Sequence, residues 1–490
     1  MNELELKFRL DDAASLRWQQ MFEAQGARRQ RLRARYFDTE DSRLAAAGVA
    51  LRLRLEGRRW VQTLKATGES TVHRLEHEVA VQAAPGDTPA LDLARHAGTP
   101  ALARLQQALG DAAPQALIER FATDVWRASL VIEGADGSRI EAALDLGHVH
   151  AGGRQAPIAE LELEHLAGPL ATLFDRAHDA LGAGGLWLSS ISKAEQGERL
   201  RRGSPSPALE AQAVTWPKQA SGAVMLRALL LNTLAQVLPN LSVTAEGQAD
   251  AEHIHQARVG LRRLRTLLRE LATASPGFDT RWDATLGEAF SALGERRDHE
   301  AVAAAVRPLL ETAGAPKTTW TLPPTADTTA AARAPALQQV LLQLLALAHA
   351  DDSAVSALSA KALTALFAKR LSRLHRQVRR DGRAFDSLPL ARQHRVRRRL
   401  KRLRYLSEFA QPLWRGDKAG AYAEALKPMQ DALGQHTDCA VAAEHFRHDA
   451  LTDPAAQFAA GFLLAHLETT ARNAHLALRR MRKLKPFWDD

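Results

Sequence analysis

MNELELKFRL, residues 1–10, alternates Leu4, Leu6 and Phe8 with Glu3, Glu5 and Lys7. A period of two marks a β-strand with one apolar and one charged face. Here the charged face carries both signs, and the pattern recurs up to about residue 200. GVALRLRLEG (48–57) sets Arg52, Arg54 and Glu56 opposite Leu51, Leu53 and Leu55, and WVQTLK (60–65) ends on Lys65. HRLEHEVAV (73–81) holds Arg74, Glu76 and Glu78 in phase, RIEAALDLGHV (139–149) Glu141, Ala143 and Asp145, and IAELELEHL (158–166) Glu160, Glu162 and Glu164. Short helical patches intervene at roughly 12–25, 88–109 and 168–182. Residues 1–200 thus read as an α+β domain with a mostly antiparallel sheet.

RRGSPSPALEAQAVTWPK (201–218) is rich in Gly, Ser and Pro, and 201–217 reads as a linker. From 218 to 490 the period becomes 3.6. Leu/Ala/Arg-rich segments at 222–239, 251–272, 281–308, 334–349, 353–381, 388–411, 419–448 and 454–484 predict an all-α domain of eight helices. HQARVGLRRLR from His255 and HRVRRRLKRLR from His394 share H-x-x-R-x-x-x-(R/K)-R-L-R, and ALGERRD (292–298) matches ALGQHTD (432–438). The offsets of 139 and 140 residues predict two pseudo-repeated four-helix bundles.

The 490 residues are 46% apolar and 25% charged, ordinary for globular domains, with a net charge of +9. Arg far outnumbers Lys, which suits bidentate contact with phosphate oxygens and points to a polyanionic partner. Aromatic residues are only 5%, which argues against base stacking, so no nucleic-acid partner is expected. Cys439 is the single cysteine, so neither a disulfide framework nor a Cys-based zinc site is available within one chain. No uninterrupted apolar stretch of 18 residues and no signal peptide are read, so a cytoplasmic protein without a membrane span is expected.

One charged strand face is ordinarily the solvated side of a sheet. Five such faces, with acids on the first and last strands and Arg on LRLRL, instead suit a closed barrel with a polar lumen. Carboxylates and cations coexist comfortably around a metal–polyphosphate complex, where Mg2+ or Mn2+ takes carboxylate oxygens and Arg or Lys takes phosphate oxygens. Glu3, Glu5, Glu160, Glu162 and Glu164 are candidate metal ligands; Lys7, Arg52, Arg54, Lys65 and Arg120 are candidate phosphate ligands.

ELELK (3–7), RYFDTED (35–41) before LAAAGVALRLR, QTLK (62–65), HRLEHEV (73–79), ELELEH (160–165) and SKAEQG (192–197) together resemble the CYTH domain, the triphosphate tunnel metalloenzyme family, over residues 1–200. The resemblance implies an eight-stranded antiparallel tunnel that hydrolyses triphosphate groups with a divalent metal. It places Glu3, Glu5, Glu162 and Glu164 on metal, with the choice among Glu160, Glu162 and Glu164 open. Lys7, Arg52, Arg54, Lys65, Arg120 and Lys193 fall on phosphate, and Glu76, Glu78 and Asp145 complete the acidic set. Glu3, Glu5, Lys7, Glu162 and Glu164 are the catalytic candidates.

On the helices, His255, Arg258, Arg262 and Arg265 share one face, and His394, Arg397, Lys401 and Arg404 repeat the spacing. Arg373 and Arg376 on an earlier segment, and His475 and Arg479 on the last, continue the pattern and are further candidates for binding polyphosphate. Residues 392–404 contain no acid, so the like charges repel unless an external anion offsets them. A flexible chain of phosphates needs only closely spaced cations. These repeats resemble the CHAD domain over about 218–485, which implies polyphosphate binding by these eight repeat residues, with Asp298 and Asp438 orienting the basic side chains.

The expected activity is hydrolysis of inorganic triphosphate to diphosphate and phosphate, joined to a module that binds inorganic polyphosphate, in the cytoplasm or on polyphosphate granules. The alternatives are thiamine triphosphate hydrolysis, adenylate cyclisation, or a non-enzymatic polyphosphate scaffold. The pattern leaves oligomeric state and metal preference open.

Overall fold

The computed structural model describes residues 2–70, 73–84, 86–112, 116–318, 320, 322 and 327–489, without the side chains of residues 2, 3, 69, 70, 73, 74 and 295–297. The elements of the first part are β1 (Asn2–Leu10), α1 (Asp12–Ala24), β2 (Arg28–Asp38), α2 (Arg43–Ala46), β3 (Val49–Glu56), β4 (Arg59–Ser70), β5 (His73–Val81), α3 (Pro100–Leu109), β6 (Ile118–Glu133), β7 (Arg139–Ala151), β8 (Arg154–Ala167), α4 (Ala171–Gly182), β9 (Leu186–Leu188) and α5 (Lys193–Arg202). All-helical sequence follows: α6 (Gly222–Ala245), α7 (Ala251–Glu270), α8 (Trp282–Ala292), α9 (Glu295–Thr312), α10 (Thr328–Arg333), α11 (Pro335–His349), α12 (Asp352–Val355), α13 (Ala360–Asp381), α14 (Leu390–Phe409), α15 (Lys418–Asp449) and α16 (Pro454–Leu478).

The nine strands form one antiparallel sheet in the order β5-β4-β3-β2-β6-β7-β8-β1-β9, and a further β5–β1 pairing closes eight of them into a barrel. β1 divides its free edge: Asn2–Leu4 pairs with β5 and Phe8–Leu10 pairs with β9. Closure removes the exposed edges that an open sheet would present. The apolar alternates face outward into helices. Leu51 and Leu64 pack with Leu44, Leu105 and Leu109 of α2 and α3, all nearly inaccessible. Leu6, Phe8, Leu161 and Leu163 are likewise buried, which turns Glu5, Lys7, Glu162 and Glu164 toward the lumen.

β2 and β6 invert this rule. Leu32, Ala34, Tyr36, Thr123 and Val125 face the lumen, while Arg31, Arg33 and Arg35 face out. The apolar lumen residues receive α5, whose Ala194 and Leu200 pack on Leu32, Tyr36, Phe121 and Val149. The approach requires glycine at 197, since a Cβ there would lie 2.0 Å from the Phe121 ring.

The chain divides into two compact units. The first is residues 1–210, 234–257 and 329–350; the second is 211–233, 258–328 and 351–490. Within the first, Leu188 N–H donates to Gln338 Oε1 and Ser190 N–H to Ser242 Oγ, so α11 and the C-terminal half of α6 belong to the barrel's surroundings. Within the second, α13, α14, α15 and α16 pack in succession, and α9 lies against α15 and α16 through Val302, Val306, Phe446 and Leu463.

The repeats diverge at their shared LG turn. The segment predicted as one helix at 281–308 is broken between α8 and α9 at Gly294, whereas α15 runs through Gly434. At Gly294 a Cβ would lie 1.9 Å from Arg258 Cζ, while Gly434 has nothing within 4 Å. The buried Arg258 guanidinium takes the space that a regular turn with a side chain would fill.

α6 passes a membrane-span test by length and composition, with a mean hydropathy of 1.4 over 18 residues. This qualifies the expectation drawn from uninterrupted runs. The window is 61% buried within the protein, as in a core helix.

Candidate functional site

The barrel encloses a cavity of about 90 Å3. Its cations are Lys7, Arg52, Arg54, Lys65, Arg127 and Lys193, and its carboxylates Glu5, Glu141, Asp145, Glu162 and Glu164. Register explains the arrangement. Across β1 and β8, Glu5 faces Glu164, Lys7 faces Glu162 and Arg9 faces Glu160; across β7 and β8, Glu141 faces Glu164 and Asp145 faces Glu160. Like charges are therefore stacked at one level and opposite charges at the next.

The paired level is tightly closed. Lys193, placed at the first turn of α5 by the Ser192 cap, has its ammonium 2.7 Å from Asp145, 2.7 Å from Glu160 and 2.8 Å from Glu162. Arg127 forks onto Asp145 at 2.7 and 2.6 Å and also bonds Glu162, and Lys7 lies 3.4 Å from Glu162. Burial opposes ionisation of Glu162, but Lys193, Arg127 and Lys7 hold it well below the usual carboxylate range. Burial likewise opposes charge on Lys193, and Asp145, Glu160 and Glu162 overcome it.

The like-charged level is different. Burial, then Glu5 and Glu141, push the Glu164 carboxyl up to about 7. Glu5 Oε1 is buried without a hydrogen bond, its nearest cation being Lys7 at 3.6 Å. A carboxyl raised by burial and by two neighbouring acids, with a buried Glu5 oxygen left over, fits a hard divalent cation with oxygen ligands. Glu5, Glu141 and Glu164 are the residues that would hold it. Asp145, Glu160 and Glu162 also converge within 4.8 Å of one another, but Lys193 already bridges all three.

On the opposite wall, Arg52 and Arg54 reach Glu78 at 3.5 and 3.2 Å, Arg54 Nε bonds Glu56 at 2.7 Å, and Lys65 pairs with Glu76 at 2.7 Å. Arg52 also donates to Tyr36 Oη at 3.5 Å, and its Nε is buried without an acceptor. Burial opposes the Tyr36 phenolate, but Arg52 outweighs it and lowers the phenol pKa. This wall has anion-binding capacity that its carboxylates do not fill.

Of the predicted tunnel residues, the structure brings Glu5, Lys7, Arg52, Arg54, Lys65, Asp145, Glu162, Glu164 and Lys193 to one cavity. Glu76 and Glu78 sit behind it as partners of Lys65, Arg54 and Thr63. Glu160 is fully buried and bonded to Arg9, Gln196 and Lys193 rather than lining the space. The Glu3 side chain lies outside the described residues; its backbone pairs with Arg74. Arg120 is misplaced by the reading: a bulge pairs Tyr36 with Phe121 but Phe37 with Glu119, and Arg120 donates to the Glu40 carbonyl in a separate depression. Arg127 stands in the lumen instead. Glu141 and Arg127 were not selected from sequence. Glu141 shares the phase of Asp145 and was therefore visible, whereas Arg127 is flanked in phase by Thr123 and Val125 and carried no signal.

In the second unit, Arg258 forks onto Asp298 at 2.9 and 2.5 Å and stacks on Phe290. Its repeat counterpart Arg397 has no ion pair with Asp438 among the described residues, and the Nε atoms of Arg397 and Arg404 are buried without acceptors. Burial, with Arg262, Arg397 and Arg404 close by, lowers the Lys401 ammonium to about 7. Burial, Arg397 and Arg398 lower the His394 imidazole. Arg262, His394, Arg397, Lys401 and Arg404 thus form a cluster with surplus positive charge. Arg265 is engaged by Asp283 at 3.1 Å, and His255 is exposed on the part of α7 that belongs to the first unit. Arg373 lines a different depression with Arg269, Glu270 and Arg402, Arg376 and Arg479 are exposed, and His475 lies 3.2 Å from Asp386.

An eight-stranded barrel whose lumen segregates acids from bases defines a charged β-tunnel protein. The CYTH domain family matches residues 1–197 and the CHAD domain family matches 228–447, so the chain carries a CYTH domain followed by a CHAD domain. An inorganic triphosphatase of Haemophilus influenzae is 30% identical over 165 residues, 33% of this chain and 44% of that protein, so the chain spans under half the length of this curated relative. Among solved structures, the CHAD domain from the plant Ricinus communis is 26% identical, covering 55% of this chain and 96% of that one with a TM-score of 0.44. HpAC1 from Hippeastrum, named as an adenylyl cyclase and described as having a dominant triphosphatase activity, is 18% identical, covering 42% and 98% with a TM-score of 0.29. At these scores the structural likenesses carry no argument.

Proposed function

We propose that the barrel hydrolyses inorganic triphosphate to diphosphate and phosphate with a divalent cation, Mg2+ or Mn2+, and that the Arg262–Arg397–Lys401–Arg404 cluster binds inorganic polyphosphate. The observation that carries the first part is the arrangement inside one lumen: Glu5, Glu141 and Glu164 lack enough positive charge, and Arg52, Arg54 and Lys65 face the same cavity with capacity for phosphate oxygens, which Lys193 joins by exchanging a carboxylate contact for a phosphate one. When bound, the cation would neutralise the triphosphate and orient it for in-line attack by water.

The chain's own residues do the rest. Arg52 and Arg54 take phosphate oxygens in fixed fork geometry, and Lys65 and Lys193 supply point charges. Arg127 and Lys193 keep Asp145 and Glu162 ionised, so the basic wall holds its geometry before substrate arrives. The closed barrel excludes bulk water and strengthens each contact. With ion pairs closed, the cavity has room for only a few waters, so substrate entry must exchange protein pairs for phosphate contacts. The lumen has an apolar side at Leu32, Ala34 and Val125 but is covered there by α5, which favours an inorganic substrate over one with an organic group.

Phosphate release from tripolyphosphate with Mg2+ tests the reading, alongside ATP and thiamine triphosphate. Glu5→Gln and Arg52→Ala should each lower kcat/KM by about 100-fold or more. Release by Glu5→Gln as fast as by the parent refutes the assignment.

A further inference from the structure

The ion-pair network does not stop at the lumen. Behind Lys193 lies Glu160, fully buried, and behind Glu160 lies Arg9, its register partner on β1, with Nη1 3.1 Å from the carboxylate. Arg9 Nε lies 3.5 Å from Glu246 Oε1, and Glu246 Oε2 lies 2.9 Å from Arg199 Nη1. The Arg199 guanidinium also bonds the Gln248 side-chain oxygen. All of these groups belong to the first compact unit.

Glu246 and Gln248 lie outside the stretch matched by the CYTH family and inside the one matched by the CHAD family. Their placement comes from the end of α6. Gly247, at φ +71°, turns the chain after the helix, and Gln248 N–H closes back on the Val243 carbonyl. This helix stop sets one side chain on either side of the glycine, and both reach basic groups of the tunnel domain.

The charge count explains why an acid is needed there. Lys7, Arg9, Arg127, Lys193 and Arg199 face Glu5, Asp145, Glu160, Glu162 and Glu246 in one largely buried network. Arg199 is 5% exposed and Arg9 14%, so neither can hand its charge to water. Without the Glu246 charge, Arg199 would lose its carboxylate and Arg9 would compete with Lys193 for Glu160, the carboxylate that they share. Lys193 would then lose one of the three carboxylates that aim its ammonium.

We propose that Glu246 is a positioning residue of the tunnel, supplied from the start of the CHAD-matched sequence, which fixes Lys193 through Arg9 and Glu160. The inference rests on the reading of Lys193 as a phosphate ligand in the tunnel. Glu246 touches no substrate; it sets how firmly Lys193 is held when phosphate arrives.

The test uses the full chain and three variants: Glu246→Gln, Glu246→Asp, and Glu246→Gln combined with Arg199→Met. Glu246→Gln should raise KM for tripolyphosphate about five-fold, with kcat within about twofold, because a substrate-binding cation is loosened rather than removed. Glu246→Asp should recover much of that loss. The double variant, which deletes one cation with the anion, should also return KM toward the parent. A mere packing role predicts the opposite order, with the double variant the worst. A parent-like KM in Glu246→Gln, or a double variant no better than the single one, overturns the proposal. If the parent hydrolyses no triphosphate, the activity assignment fails on its own. The inference is then decided by Mg2+-dependent tripolyphosphate affinity in calorimetry: the same ranking of variants supports it, and equal or absent affinities overturn it.

Discussion

Replacing Glu164 by Gln should stabilise the metal-free protein at pH 8 and leave it unchanged at pH 4. The Glu164 carboxyl is pushed from an ordinary 4.5 up to about 7 by burial and by Glu5 and Glu141. At 1.36 kcal/mol per unit, the undamped cost of ionising it at pH 8 is about 3.4 kcal/mol. The group opens onto the cavity, so screening reduces this to about 1.5–2 kcal/mol. The sign follows from proton linkage. Between pH 4.5 and 7 the folded chain holds the proton that the unfolded chain has released, so stability falls as pH rises through that window. Gln cannot ionise and escapes the loss. For a unit of this size the gain is about 3–8 °C in the melting temperature of the barrel transition. Thermal melts of parent and variant at pH 4, 6 and 8, with and without Mg2+, provide the assay. In the parent, Mg2+ should recover the loss at pH 8 and displace the Glu164 proton near pH 7; in the variant it should do less. An advantage of Glu164→Gln that is equal at pH 4 and pH 8 would refute the reasoning, because it would arise from packing and not from a crowded carboxylate.

Three further outcomes are expected. Arg127→Met should destabilise the barrel by about 3 kcal/mol, read as a drop in its melting temperature, because Asp145 and Glu162 lose one of the two cations they share and only Lys193 remains. Long-chain polyphosphate affinity, measured at constant ionic strength, should fall from pH 6 to pH 8.5 as Lys401, near 7 without ligand, loses its proton; Lys401→Arg should flatten that slope, and an unchanged slope would exclude Lys401 as its source. Gly294→Ala should lower the melting temperature by displacing the Arg258 fork from Asp298, while Gly434→Ala, with open space around it, should stabilise α15 by about 1 kcal/mol.

How far the tunnel is legible depends on whether charge alternates along a strand. ELELK, LRLRL and ELELE announce their own lumen faces, because each charged residue is one step from a buried Leu. β2 and β6 defeat the same reasoning. Arg31, Arg33 and Arg35 alternate just as clearly, yet they point outward, since α5 covers the lumen there and needs an apolar bed. Arg120 lies outside the lumen for a simpler reason: it is out of phase with Thr123, Val125 and Arg127, and it sits at the bulge that pairs Phe37 with Glu119. Arg127 escaped because its in-phase neighbours Phe121, Thr123, Val125 and Ser129 are all uncharged, so no alternation marks its face. Its lumen position follows only from the register that sets it opposite Asp145.

The helical repeats show the complementary limit. The matching motifs correctly pair Arg258 with Arg397 and Asp298 with Asp438, but equal sequence does not yield equal chemistry. In the first copy the arginine is spent on its aspartate and on Phe290, and the helix breaks at Gly294 to make room for it. In the second copy the helix stays whole, the Arg397 Nε finds no acceptor, and Lys401 is left so crowded by cations that its proton is only loosely held. One copy is internally neutralised and the other is short of an anion. The anion-binding capacity of this unit therefore lies mainly with α14, and the first copy contributes Arg262 as a neighbour and Asp298 as the acid that retires Arg258. A duplicated motif can keep one half as scaffold precisely because the other half carries the surplus charge; exchanging Asp298 for Asn should release Arg258 and raise polyphosphate affinity, whereas exchanging Asp438 for Asn should change it less, since Asp438 holds no arginine in a fork.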